Sequence, residues 1–102
     1  FTVGAAGGPR IITQVVLAIV YHVDLGMQPA EAVAMKRLHH QWSPNILYVE
    51  KGFDPDIADR LETLGHRVVV SGTGVVQAIA RTADGQWLGA HDPRVPGKAA
   101  CR

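Results

Sequence analysis

The sequence is poor in the residues that several classes of protein require. One cysteine, Cys101, is present among 102 residues, which excludes an intramolecular disulfide. Aromatic residues make up 6% of the chain and the formal net charge is +1. Because neither the aromatics nor the cations cluster, a nucleic-acid surface is not indicated. The most apolar run, residues 11–23, is interrupted by polar side chains and is too short to span a bilayer.

The histidines do not have the spacing of a metal site. Adjacent residues on a strand point to opposite faces, so His39 and His40 cannot simply bind one metal ion together. No second cysteine is available to complete a zinc site. We therefore predict no metal and no cofactor, and interpret the two histidines as a packed or hydrogen-bonded pair.

An apolar content of 47% with 19% charged residues is typical of a chain that buries a core. We treat residues 1–102 as a single segment. The pattern predicts helices at 10–25, 29–37 and 57–64, and strands at 38–41, 46–50, 66–71, 75–81 and 87–90. The fold class predicted is therefore α+β.

The first predicted helix is apolar over most of its circumference, which requires cover on more than one side. A chain of this length has little with which to provide that cover. The segment is therefore expected to be part of a larger layered domain. Gly26 is expected to end this helix.

Gly7 and Gly8 directly precede the same helix. A helix N-terminus presents unpaired N–H groups and the positive end of the dipole. Two glycines allow a ligand to approach the backbone closely. The pair is therefore either a flexible turn or a site for an anion or an oxyanion.

Two further groups of charged residues have structural interpretations. The acidic residues of the third helix are expected to form a solvated face, with Asp54 as its N-cap. Asp92-Pro93-Arg94 is expected to form an internal salt bridge or a turn.

Several short motifs follow one another in order along the chain. They are Gly7-Gly8-Pro9-Arg10-Ile11-Ile12-Thr13, Asp24-Leu25-Gly26-Met27, Glu31-Ala32-Val33, His39-His40-Gln41-Trp42-Ser43-Pro44-Asn45, Val49-Glu50-Lys51-Gly52-Phe53, Gly89-Ala90 and Asp92-Pro93-Arg94. Together they resemble the C-terminal part of the small subunit of γ-glutamyltranspeptidases, from about Gly4 to Arg94.

This resemblance implies a partial αββα sandwich of the N-terminal-nucleophile hydrolase type. It implies cleavage of γ-glutamyl amides such as glutathione, with transfer of the acyl group to water or an amino acid. The nucleophile would be a threonine at a new N-terminus, and Gly7 and Gly8 would supply the oxyanion-hole N–H groups. The partners would be the remaining segments of the same enzyme, and the location would be periplasmic or secreted.

The nucleophilic threonine and the residues that hold the glutamyl group are not among these 102 residues. The chain alone is therefore expected to be inactive. The alternative is a stand-alone structural module without chemistry, which associates with itself through the apolar face of its first helix. Related acylases of cephalosporin or polyglutamate type share the same fold, so substrate preference is open at this point.

Overall fold

A computed structural model describes residues 1–100 of the chain. Its elements are β1 (Thr2–Ala6), α1 (Arg10–Ile19), a π-helical turn (Val20–Asp24), α2 (Pro29–Ala34), β2 (Leu38–His40), β3 (Leu47–Val49), α3 (Pro55–Thr63), β4 (Val68–Val70), β5 (Val75–Arg81) and β6 (Trp87–Ala90). Helices are combined with sheets whose strands pair mostly antiparallel, which confirms the α+β class. The chain divides into two compact units, one of residues 1–35 and 74–100 and the other of residues 36–73.

The first unit is built on an antiparallel sheet with the strand order β1-β5-β6. Val3 lies opposite Ala78, and Ala78 in turn lies opposite Ala90. These residues therefore share one face of the sheet, and α1 and α2 pack against the sheet. Small and β-branched side chains from the helices and the strands close the core: Ala18, Val33, Val76, Ala78 and Ala90.

The second unit holds a sheet with the order β2-β3-β4, in which β3 pairs antiparallel with β2 and parallel with β4. Parallel neighbours need a crossover connection, and α3 lies in the connection between β3 and β4. Beside β3, the buried Glu50 carboxylate accepts hydrogen bonds from the Arg37 backbone N–H, at 3.1 Å, and from the Thr73 hydroxyl. The acid therefore ties both ends of this unit together.

Three expectations about the helices need correction. The α-helix that begins at Arg10 ends at Ile19, and the chain continues to Asp24 as a π-helical turn before Gly26, whose φ is +68°. The helix α2 ends at Ala34 rather than at residue 37. There the Met35 backbone turns to ψ 145°, which ends the helical path. The third helix begins at Pro55, directly after the predicted N-cap Asp54, and ends at Thr63, one residue earlier than expected.

One strand has no counterpart among the predicted elements. β1 contains a glycine and two alanines, which have low β-propensity, and it forms because β5 pairs with it along its whole length. No helix of the described residues is long and apolar enough to cross a membrane.

Candidate functional site

The Gly7–Gly8 turn connects the end of β1 to the start of α1. The Gly7 carbonyl accepts a hydrogen bond from the Arg10 N–H at 3.3 Å, and the Gly8 carbonyl accepts one from the Ile11 N–H at 3.1 Å. The glycine carbonyls are thus used inside the turn. Backbone N–H groups at a helix start are the donors that can serve a ligand.

Both positions need glycine for a physical reason. Gly7 has a φ of +145° and Gly8 a φ of +61°, conformations that side chains rarely adopt. A Cβ on Gly8 would meet no atom within 4 Å. The turn is therefore open beside Gly8, and a ligand atom can approach the backbone there.

The electrostatics of the helix start favour a negative ligand. Pro9 occupies the N-cap position, and no side chain caps the helix there. The first turn of α1 carries no acidic residue, so no carboxylate offsets the positive end of the helix dipole. An oxyanion that forms next to the turn would be stabilised rather than repelled.

Gln14 and Gly74 lie directly against this turn. A Cβ built on Gly7 would be 2.9 Å from the Gly74 Cα and 3.3 Å from Gln14 Nε2. Gln14 is a polar residue in a largely apolar helix, and its side chain is fully buried. Sequence reasoning missed both residues. The sequence does show Gln14 as the single glutamine within the apolar run. Its proximity to Gly7 is visible only in the folded structure.

The histidine pair forms a hydrogen-bonded structure, as predicted. His39 is buried, and its Nε2 and Gln41 Oε1 are 3.0 Å apart. His40 Nδ1 accepts a hydrogen bond from the Trp42 N–H at 3.2 Å, so its Nε2–H donates to Asn45 Oδ1 at 2.9 Å. These contacts hold the loop that follows β2. Within residues 1–100, no group of three histidine, cysteine or acidic side chains is arranged to hold a metal ion.

The Asp92–Arg94 pair is an internal salt bridge, as expected. Arg94 Nη1 lies 3.1 Å from Asp92 Oδ1, and Asp92 Oδ2 accepts the Val76 N–H at 2.7 Å. The same guanidinium donates to the carbonyls of Val33 and Met35, at 3.0 and 2.8 Å. The pair therefore joins β5 to the C-terminal end of α2. The acidic side chains of α3 are exposed, also as expected.

Known structures resemble the whole described chain. A γ-glutamyltranspeptidase from Pseudomonas nitroreducens superimposes with a TM-score of 0.89 at 28% identity, over 98% of this chain and 54% of that one. A cephalosporin acylase from Bacillus halodurans superimposes with a TM-score of 0.87 at 27% identity, over 96% of this chain and 19% of that one. The fold is thus the one used by N-terminal-nucleophile hydrolases, which confirms the predicted class.

The sequence comparisons define the family within that class. Residues 1–101 match the Gamma-glutamyltranspeptidase family. The glutathione hydrolase proenzyme of Escherichia coli (strain K12) is 46% identical over 92 residues, which cover 89% of this chain. The chain belongs to the γ-glutamyltranspeptidase family, and it spans 16% of the length of that relative.

Proposed function

We propose that this chain is one segment of a γ-glutamyltransferase that also hydrolyses glutathione. The complete enzyme would cleave γ-glutamyl amides and transfer the γ-glutamyl group to water or to an amino acid. In this chain, the backbone N–H groups of Gly7 and Gly8 would form the oxyanion hole. The remaining segments of the same enzyme would be its partners, and by family resemblance the location would be periplasmic or secreted.

The mechanism divides between this chain and the rest of the enzyme. A threonine at the N-terminus of another segment attacks the γ-carbonyl carbon, and its own α-amino group accepts the hydroxyl proton. Negative charge develops on the carbonyl oxygen, which Gly7 and Gly8 bind. The tetrahedral intermediate then expels the amine, which takes up a proton, and leaves an acyl-enzyme. Water or an amino acid attacks the acyl-enzyme and releases the threonine.

The observation that supports this role is the glycine turn at the uncompensated start of α1. Its backbone is open beside Gly8, and no acidic side chain of the first helical turn competes for the N–H groups. One oxyanion donor contributes about 3 kcal/mol to lowering a barrier of this kind.

The test replaces Gly8 with a bulky residue in the complete enzyme. We expect Gly8→Leu to lower kcat for a chromogenic γ-glutamyl anilide by at least about 100-fold, because the side chain occupies the space that the carbonyl oxygen needs. Steady-state kinetics of the purified variant, expressed per mature active site, measure this effect.

Gly26→Leu is the matched control. Gly26 stands at the other end of the helical segment, with a φ of +68° and open space where its Cβ would lie. The backbone strain is therefore similar at the two positions, and we expect kcat of the control to stay within about threefold of the parent. Equal turnover in Gly8→Leu and Gly26→Leu would show that Gly8 is not part of the site.

Substrate class is tested separately. The fold is shared with a cephalosporin acylase at nearly the same structural similarity, so the backbone does not separate the two activities. We expect the complete enzyme to release p-nitroaniline from the γ-glutamyl anilide and not to deacylate a cephalosporin. The opposite preference would reject the γ-glutamyl assignment and leave the oxyanion role intact.

One observation favours the alternative of a stand-alone module that associates with itself. Apolar side chains of α1 and the following turn are exposed, namely Ile12, Val16, Ile19 and Val23. Such a surface is typical of an interface. If the 102-residue chain works alone, sizing chromatography with light scattering should show a discrete oligomer, which Val16→Lys dissociates. A monodisperse monomer would reject the alternative.

A further inference from the structure

Gly74 is crowded by the backbone that carries the Gly7 amide. A Cβ on Gly74 would overlap the Ala6 carbonyl oxygen and would lie 2.9 Å from the Ala6 carbonyl carbon. Gly74 does not have a positive φ, so it is the close approach of β1, and not an unusual conformation, that requires glycine here. The contact fits the sheet register, in which Ala6 lies opposite Val75.

The Ala6 carbonyl and the Gly7 N–H belong to one planar peptide group. Any atom that presses on the Ala6 oxygen therefore rotates the Gly7 N–H about the same axis. Gly74 packs against this peptide, and its lack of a side chain permits the orientation that the structure has.

Gln14 supports the same corner from α1. Its Nε2 lies 2.9 Å from the Cβ position of Gly74 and 3.3 Å from that of Gly7. Its side chain is fully buried. Cores are close-packed, so loss of this side chain would leave space into which the turn can move.

We propose that Gly74 and Gln14 are positioning residues of the oxyanion site, which hold the peptide between Ala6 and Gly7 so that the Gly7 N–H points to the reacting oxygen. This inference rests on the proposed function of Gly7 and Gly8. Neither residue needs to touch the substrate for this role. Their effect should therefore appear in the transition state more than in substrate binding.

The experiment uses the complete enzyme and two opposite changes. Gly74→Ala adds a methyl group against the Ala6 carbonyl, whereas Gln14→Ala removes bulk beside Gly7. A misplacement of about 1 Å can cost about 100-fold in rate, so we expect kcat for the γ-glutamyl anilide to fall by about 10- to 100-fold in each variant. We expect KM, and the inhibition constant of the product glutamate, to stay within about threefold.

Gly72→Ala is the matched control because Gly72 lies two residues from Gly74, has no positive φ and has no atom within 4 Å of its Cβ position. We expect its kcat to equal that of the parent. If Gly74→Ala does not fold or mature, Gln14→Ala decides the question, since it adds no clash.

Two results would overturn the inference. One is an unchanged kcat in Gln14→Ala or in folded Gly74→Ala. The other is an equal loss in the binding of glutamate, which would indicate general distortion of the site. If Gly8→Leu abolishes turnover while both of these variants keep it, the positioning role fails and the proposed function stands. If Gly8→Leu is also active, the oxyanion assignment itself fails.

Discussion

Asp92 is a carboxylate without solvent exposure, and its negative charge depends on Arg94 for compensation. We predict that Arg94→Met destabilises the protein by about 3 kcal/mol, because the change leaves a buried charge unpaired and removes hydrogen bonds from the end of α2. Arg94→Lys should recover part of this loss only, because an ammonium group cannot reproduce the forked contacts.

Thermal unfolding of the complete enzyme measures this effect as a lowered Tm. Arg60→Met is the control, since Arg60 is exposed on α3, and surface substitutions change stability by about 0.5 kcal/mol or less. A Tm equally unaffected in both variants would show that the buried pair contributes no stability.

Single residues differed in how well they could be predicted from the sequence. Gly7 and Gly8 could be singled out as a turn before a helix, because two adjacent glycines ahead of a helical pattern are a local signal. Gly74 is separated from Gly7 by 67 positions, and its need for glycine arises from contact with Ala6. A contact between distant residues leaves no local pattern that a single sequence displays.

At the scale of elements, α3 is the helix that depends most on its own sequence. It contains no buried residue, and the Asp54 carboxylate accepts hydrogen bonds from the N–H groups of Asp56 and Ile57 at 2.9 and 3.3 Å. We predict that Asp54→Ala destabilises this helix by about 1 kcal/mol. Hydrogen exchange of the α3 amides should accelerate several-fold, while exchange in β5 stays unchanged.

Asp59→Ala serves as the control, because Asp59 lies on the exposed side of the same helix and its carboxylate does not cap the N-terminus. Exchange in α3 should then remain close to that of the parent. Identical exchange rates in Asp54→Ala and Asp59→Ala would contradict a capping role for Asp54.

The elements also show where local pattern is sufficient. The bounds predicted for β5, Val75–Arg81, are confirmed, and every second side chain of the strand is buried in the structure. β1 lacks such a signal and forms through its pairing with β5. On α2, Ala32 and Val33 are buried, whereas Ala30 and Ala34 are exposed. Contacts with the sheet, and not helical spacing alone, select that face.

At the scale of the whole molecule, the face of α1 that carries Ile12 and Val16 is exposed in the described chain. Ile12 is 73% exposed and Val16 is 51% exposed. We predict that Ile12→Ser and Val16→Ser each destabilise the complete enzyme by about 2 kcal/mol, because its additional segments bury these side chains. In the 102-residue chain the same changes should cost less than about 1 kcal/mol.

Denaturant unfolding measures the loss of stability that each substitution causes in the complete enzyme and in the 102-residue chain. The 102-residue chain serves as the control, because it lacks the additional segments. Similar small losses in both forms would mean that the rest of the enzyme does not cover α1. The chain spans 16% of the length of its Escherichia coli relative. The cover expected for α1 would come from other segments of the complete enzyme.

The amino-acid sequence by itself determined the α+β class, most of the helices and strands, and the glycine pair before α1, because each depends on neighbours a few positions away. The ordered motifs also indicated the family. Tertiary structure alone decided that residues 2–6 form a strand, which face of α2 is buried, and that Gln14 and Gly74 meet the Gly7 peptide. Those features arise where distant parts of the chain pack within one unit, and close packing, unlike local propensity, depends on the complete arrangement of atoms.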